Sequence, residues 1–286
     1  MKYLLSGLVA LFVTTGAHAS EGGVSPKAYE LFRIPGIGDG FPVTNSMVML
    51  WVVTLTVILF VRLAVRKRAM VPSHGQAIVE SIVEYVENLI EPIVGKRLVR
   101  PTFWLLAGYF FIILVNNWSS LLPGVGSIGT MDAHGHFNYW FRPANADLNN
   151  TLAMALIATG AWLYYVLKYA GLKALIVDLF GNKADKKDVG TLIYIILFPL
   201  FWMVGGIEIV SIIFRPVSLS FRLFGNVFGG ENLIHNMMGI FAWLLPVPFY
   251  FLELLIGLIQ ALVFTLLVAV YIGLICNHET EEGHGH

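Results

Sequence analysis

The sequence predicts an all-α, polytopic membrane protein. It has about five membrane helices and one interfacial amphipathic helix, with two long tilted helices toward the C-terminal end. Three observations predict this. Of 286 residues, 57% are hydrophobic and only 13% are charged, about half the charge fraction usual in soluble domains. Apolar runs long enough to cross a bilayer recur along the chain. Basic residues crowd into alternate connections between those runs. Eighteen basic side chains balance eighteen acidic ones, so no positive excess favours a nucleic-acid partner. The single cysteine, Cys276, forms no internal disulfide or cysteine metal cluster and reads as a small packing residue.

In chain order, Lys2 opens a short apolar stretch, Leu4 to Val13, followed by Ala17-His18-Ala19. The stretch is too short to span a bilayer, and the small residues fit a cleavage site. Residues 1–19 are therefore expected to be a cleaved signal peptide, 20–42 an external segment, 43–278 the membrane domain and 279–286 a cytoplasmic tail. The first span, Val43–Val61, stops at Arg62, Arg66, Lys67 and Arg68. The second is Thr102–Leu122 and the third Leu148–Leu167. Two longer apolar stretches follow, Val189 to Met238 and Trp243 to Asn277. Fifty helical residues would reach about 75 Å. The fourth element is thus expected to tilt, to break at Pro199 or Pro216, or both.

Between the first two spans, Glu80, Glu84, Glu87 and Glu91 recur at helical spacing, with Ile78, Ile82, Val86 and Leu89 on the opposite face. This predicts an amphipathic helix over 73–91, capped by Ser73 with Gln76 and ended or kinked at Pro92. The connections 62–100 and 168–188 are rich in Lys and Arg, whereas 123–147 holds only Arg142. The first two are expected in the cytoplasm, which places the N-terminus outside and the C-terminus inside.

The charges within the apolar runs carry the functional signal. An arginine at the centre of a bilayer costs at least about 2.5–3.5 kcal/mol, and such residues mark ion paths. The fourth element holds Glu208, Arg215, Arg222 and Glu231, and the fifth holds Glu253 and Gln260. Ser218, Arg222 and Asn226 share a helical face. Gly225, Gly229 and Gly230 allow close approach of another helix. In an antiparallel pair, setting Arg222 opposite Gln260 brings Glu231 level with Glu253 within about two residues. Polar groups then flank a central cation on both sides, a layout suited to two aqueous half-paths. Asp132, His134 and His136 read as a solvated outer loop, and the histidines near the C-terminus as part of a polar tail.

The run from Arg215 to Glu231, RPVSLSFRLFGNVFGGE, closely resembles the signature of the a subunit of F-type ATP synthases. Gln260-Ala261-Leu262-Val263-Phe264 echoes that family's last helix. Asn117 before Leu121-Leu122-Pro123 and the run Ala146-Asp147-Leu148-Asn149 match as well. The resemblance implies a stator subunit in a bacterial inner membrane. Its expected partners are a ring of c subunits, b-type stator subunits and lipid within a multi-subunit complex, and it needs no cofactor or metal. It implies that Arg222 works against the c-ring carboxylates, with Asn226 and Gln260 near it. Glu231 and Glu253 would serve the outer half-channel, and Glu208 and Ser218 the inner one. Glu253 stands where some members carry histidine, and Asn45 where an acidic residue can occur, so Asn45 is given no role. A secondary carrier would show an internal repeat, and none is visible. A haem-binding redox subunit would need paired intramembrane histidines, and only His235 is near a span. No nucleotide-binding glycine loop is present, so this chain alone is not expected to hydrolyse ATP.

Overall fold

Helices follow the apolar runs, because a backbone in lipid must satisfy its own hydrogen bonds. The structure is a computed structural model and describes residues 28–35, 40–65, 72–122, 125, 128–131, 137–180, 186–241 and 244–282. The signal peptide and the outer-loop residues Asp132, His134 and His136 lie outside the described residues, as do residues 283–286 of the terminal tail.

Seven α-helices are described: α1 (Asn45–Ala64), α2 (His74–Val94), α3 (Lys96–Ser119), α4 (Leu148–Tyr169), α5 (Gly171–Phe180), α6 (Lys186–Ile240) and α7 (Pro246–Glu282). Five of them, α1, α3, α4, α6 and α7, are long and apolar enough to cross a membrane. The protein is an all-α polytopic membrane protein, as the composition and the runs predict. Two short antiparallel hairpins were not foreseen. One pairs β1 (Glu30–Ile34) with β2 (Phe41–Thr44), and the other pairs β3 (Gly129–Met131) with β4 (Phe137–Tyr139). Gly40 has φ +84° at the end of the first turn, where a Cβ would press on the Ile34 carbonyl.

The structure fills in details of the helices that the sequence left open or placed differently. Helix α6 runs 55 residues without a break, with Pro199 and Pro216 inside it. Membrane helices tolerate proline because neighbouring groups satisfy the freed carbonyls. Helix α2 likewise continues past Pro92 to Val94. Its covered side is Val86, Ile90 and Val94, while Ile78 and Ile82 are exposed. The Ser73 cap forms: the Gln76 amide donates to Ser73 Oγ at 3.4 Å, and the Gln76 side chain also donates to Glu80 Oε1 at 2.7 Å. Helix α7 continues to Glu282, into the segment expected as tail.

Contacts divide the chain into two compact units. The first comprises residues 1–80, 109–151 and 221–263, and the second 81–108, 152–220 and 264–286. The helices are covered unequally. Half of the apolar window of α3 is buried, against 11% for α1 and for the 199–240 part of α6. Helix α6 thus leaves most of one side uncovered, and the charged residues of the sequence signature lie on this helix.

Candidate functional site

In the first unit, a row of buried polar side chains stitches the helix ends together. Asn45 is fully buried. Its Oδ1 accepts from the Tyr29 amide at 3.2 Å, and its Nδ2 donates to the Tyr139 carbonyl at 2.9 Å. One side chain therefore ties both hairpins to the start of α1. Ser46 Oγ donates to Asp147 Oδ2 at 2.6 Å, and Asp147 Oδ1 accepts from the Asn149 amide at 3.0 Å. Asp147 thereby caps α4, since a carboxylate just ahead of a helix accepts one of its unsatisfied amides. Asn145 Nδ2 donates to Asn117 Oδ1 at 2.7 Å, and Asn117 Nδ2 donates to the Gly257 carbonyl at 3.1 Å. Trp118 Nε1 reaches the Leu254 carbonyl at 3.1 Å. Gly257 matters here: a Cβ there would meet Asn117 Cβ at 3.1 Å.

The row continues into the charged residues of α6 and α7. Glu253 is buried, and Gly230 lies against its carboxyl group, where a Cβ would overlap the carboxyl atoms. Glu231 follows in sequence. Its Oε2 is buried with no hydrogen-bond partner among the described residues, and Arg142 is its charged neighbour. Arg142 is itself buried, its Nη2 donating to the Ala146 carbonyl at 3.2 Å. Burial pushes the Tyr139 phenol above its ordinary pKa, and Glu231 and Tyr29 push the same way. At physiological pH Tyr139 is a neutral hydrogen-bond donor.

Gln260 lies two turns beyond Glu253 on α7. Its Oε1 accepts from Asn226 Nδ2 at 2.8 Å, and its Nε2 is buried without a partner among the described residues. The antiparallel register therefore sets Asn226 opposite Gln260, one turn on from the expected Arg222. Gly230 against Glu253 nevertheless keeps Glu231 near the level of Glu253, as the register predicts. Arg222 is exposed, as are Gly225, Asn226 and Gly229. A Cβ at Gly225 or Gly229 would meet nothing within 4 Å. Arg222 has no hydrogen-bond or ion-pair partner among the described residues.

The second unit holds Ser218 and Glu208. Ser218 is exposed on α6. Glu208 Oε1 accepts from Arg215 Nη2, and the Arg215 guanidinium lies over the Tyr271 ring at 4.5 Å. Reasoning from the sequence named Arg215, Arg142 and Asp147 without giving them a role, and did not single out Asn145. Arg215 had a visible signal, being a second intramembrane arginine seven residues from a glutamate, the distance of two helical turns.

The fold and these side chains define a multi-pass membrane protein with a buried polar row beside an arginine that the described residues leave uncovered. A family model described as ATP synthase A chain matches residues 47–273. "ATP synthase subunit a" of Moorella thermoacetica is 30% identical over 246 residues, covering 86% of this chain and 95% of that relative. "ATP synthase subunit a 2" of a Bradyrhizobium species is 30% identical over 231 residues, covering 81% and 88%. The chain belongs to the ATP synthase A chain family.

Proposed function

We propose that this chain is the stator a subunit of an F-type ATP synthase membrane sector, that it provides two half-channels for protons, and that Arg222 separates them. One observation carries the reading. Arg222 stands on an uncovered face of a membrane helix, one turn before Gly225 and Asn226, with no counter-charge among the described residues of its own chain. Such a cation in lipid calls for an acidic partner from another subunit. A ring of c subunits, each with a membrane carboxyl group, is that partner.

The guanidinium stays charged in any protein environment, so it favours an ionised carboxylate beside it. A ring carboxyl approaching Arg222 releases its proton to one half-channel. After passing the arginine, the carboxylate takes a proton from the other. The fixed positive charge blocks direct passage between the two. Glu231 and Glu253, with Asn226 and Gln260, line the outer path. The buried unpartnered oxygen of Glu231 and nitrogen of Gln260 support access of water there, since buried polar atoms without protein partners are ordinarily hydrated. Asn117 holds α3 against α7 beside this path. Glu208 and Ser218 belong to the inner path. ATP chemistry resides on other subunits, and the chain sits in a bacterial inner membrane with its N-terminus outside.

The test replaces Arg222 with alanine in the assembled complex in vesicles. ATP-driven proton pumping, read with a pH-sensitive dye, is expected to vanish while the complex still assembles. Full coupled pumping in Arg222→Ala would remove the assignment.

A further inference from the structure

Arg215 is a second arginine on α6, and the role of Arg222 does not account for it. Its side chain is 20% exposed, and its Nη2 donates to Oε1 of Glu208, which is 43% exposed. The two residues are seven apart, hence on one helical face. The guanidinium also lies over two rings, Tyr271 of α7 at 4.5 Å and Trp162 of α4 at 5.9 Å from the ring centroids. Those rings are themselves tied, because Trp162 Nε1 donates to the Tyr271 carbonyl at 2.8 Å. A shallow cavity lined by Ala158, Thr159, Leu219 and Val268 closes around the same group. All of these residues belong to the second unit.

Together the contacts suit a guanidinium better than an ammonium. A planar, weakly hydrated guanidinium stacks on aromatic faces and still presents N–H donors at its edge. A lysine ammonium in the same place would keep the charge and lose the stacking. The cation is thus held from two sides by rings on other helices, and its free edge meets one oxygen of a half-exposed carboxylate. Glu208 Oε1 is committed to the guanidinium, and Oε2 is the oxygen left to take a proton and pass it on.

We propose that Arg215 is a positioning residue for Glu208: Tyr271 and Trp162 fix its guanidinium, and the guanidinium fixes the carboxylate so that Oε2 alone exchanges protons. The proposal rests on the reading of Glu208 as a residue of the inner proton path. It concerns orientation, and Arg215 itself neither takes nor gives a proton.

The test is a double-mutant cycle in vesicles carrying the whole complex, with pumping normalised to assembled complex. Arg215→Gln is expected to slow ATP-driven pumping about tenfold, what loss of one charged hydrogen bond is worth. Arg215→Lys is expected to restore part of the rate. The decisive variant is Arg215→Gln with Glu208→Gln, which is expected to pump no more slowly than Glu208→Gln alone. Wild-type pumping in Arg215→Gln would overturn the proposal. So would a double variant slowed by the full product of the two single effects. If Arg215→Gln lowers assembly, the same cycle run with Arg215→Lys supports or overturns the proposal on the same two outcomes. Arg222→Ala in the same vesicles separates this proposal from the function. Normal pumping there removes the functional reading. Abolished pumping there, with Arg215→Gln unaffected, removes only the role of Arg215.

Discussion

Single side chains in this protein divide into those that hold the fold and those that are left uncovered. Ser46 belongs to the first kind. Its hydroxyl donates to a buried carboxylate oxygen of Asp147, and Ser46→Ala leaves that oxygen without the donor. A lost donor at a buried acceptor costs about 1–3 kcal/mol. The thermal midpoint of the purified protein in detergent is expected to fall measurably in Ser46→Ala. Thr159→Ala, which loses only a bond to its own helix carbonyl at Ala155, is expected to leave the midpoint nearly unchanged. Arg222, Glu231, Glu253 and Gln260 were legible from the sequence because a charge or amide inside an apolar run is conspicuous. Asp147, Asn145 and Arg142 were not, because they lie in a polar connection where such residues are ordinary. Only the fold reveals that they are buried. Asn45, given no role from the sequence, proves to be the fully buried link between the two hairpins.

At the scale of helices, close approach is decided by glycines, and three of them predict three different outcomes. At Gly273 a Cβ would run into the Ile93 carbonyl of α2, a backbone atom that cannot swing aside. Gly273→Ala is expected to reduce the yield of folded protein. At Gly230 the obstacle is the Glu253 carboxyl, the far end of a flexible side chain. Gly230→Ala is expected to fold, to displace that carboxyl and to slow proton pumping several-fold. At Gly225 the space is open within the chain, so Gly225→Ala is expected to leave the thermal midpoint of the isolated protein unchanged. Measuring midpoint and pumping for the three variants checks all of these together. The number and order of membrane helices were readable because twenty apolar residues have few other uses. Helix ends and the strand hairpins were not, since strands of three to five residues carry little periodicity. Tilt and a break at the prolines were both open for α6 from its length, and the unbroken course fits the first, since the cost of an interior proline in water overstates its cost in a packed membrane helix. The one-turn offset between Asn226 and Gln260 was also hidden, since spacing along two helices fixes their register only to within a turn.

For the whole molecule, the distribution of Lys and Arg sets a testable orientation. Trp140 and Arg97 are both exposed and belong to connections of opposite basic content. With Cys276 changed to serine, a cysteine at Trp140 is expected to react with a membrane-impermeant maleimide on intact cells. A cysteine at Arg97 is expected to react only after the membrane is opened. The reverse pattern would invert the assignment of the two half-paths.

The uncovered face of α6 also bears on how such a protein comes into being. An isolated copy carries a guanidinium that lipid solvates poorly, on a stripe of glycine and asparagine too small to shield it. Its insertion is therefore least favourable before its neighbours exist, by at least about 2.5–3.5 kcal/mol for the arginine alone. Under the proposed function, a ring already in the bilayer would supply carboxylates at that depth and turn the same side chain from a burden into an attraction. Under the same proposal, insertion is more favourable once that partner is in place. The residue proposed to separate two proton paths also penalises the subunit for being made without a partner.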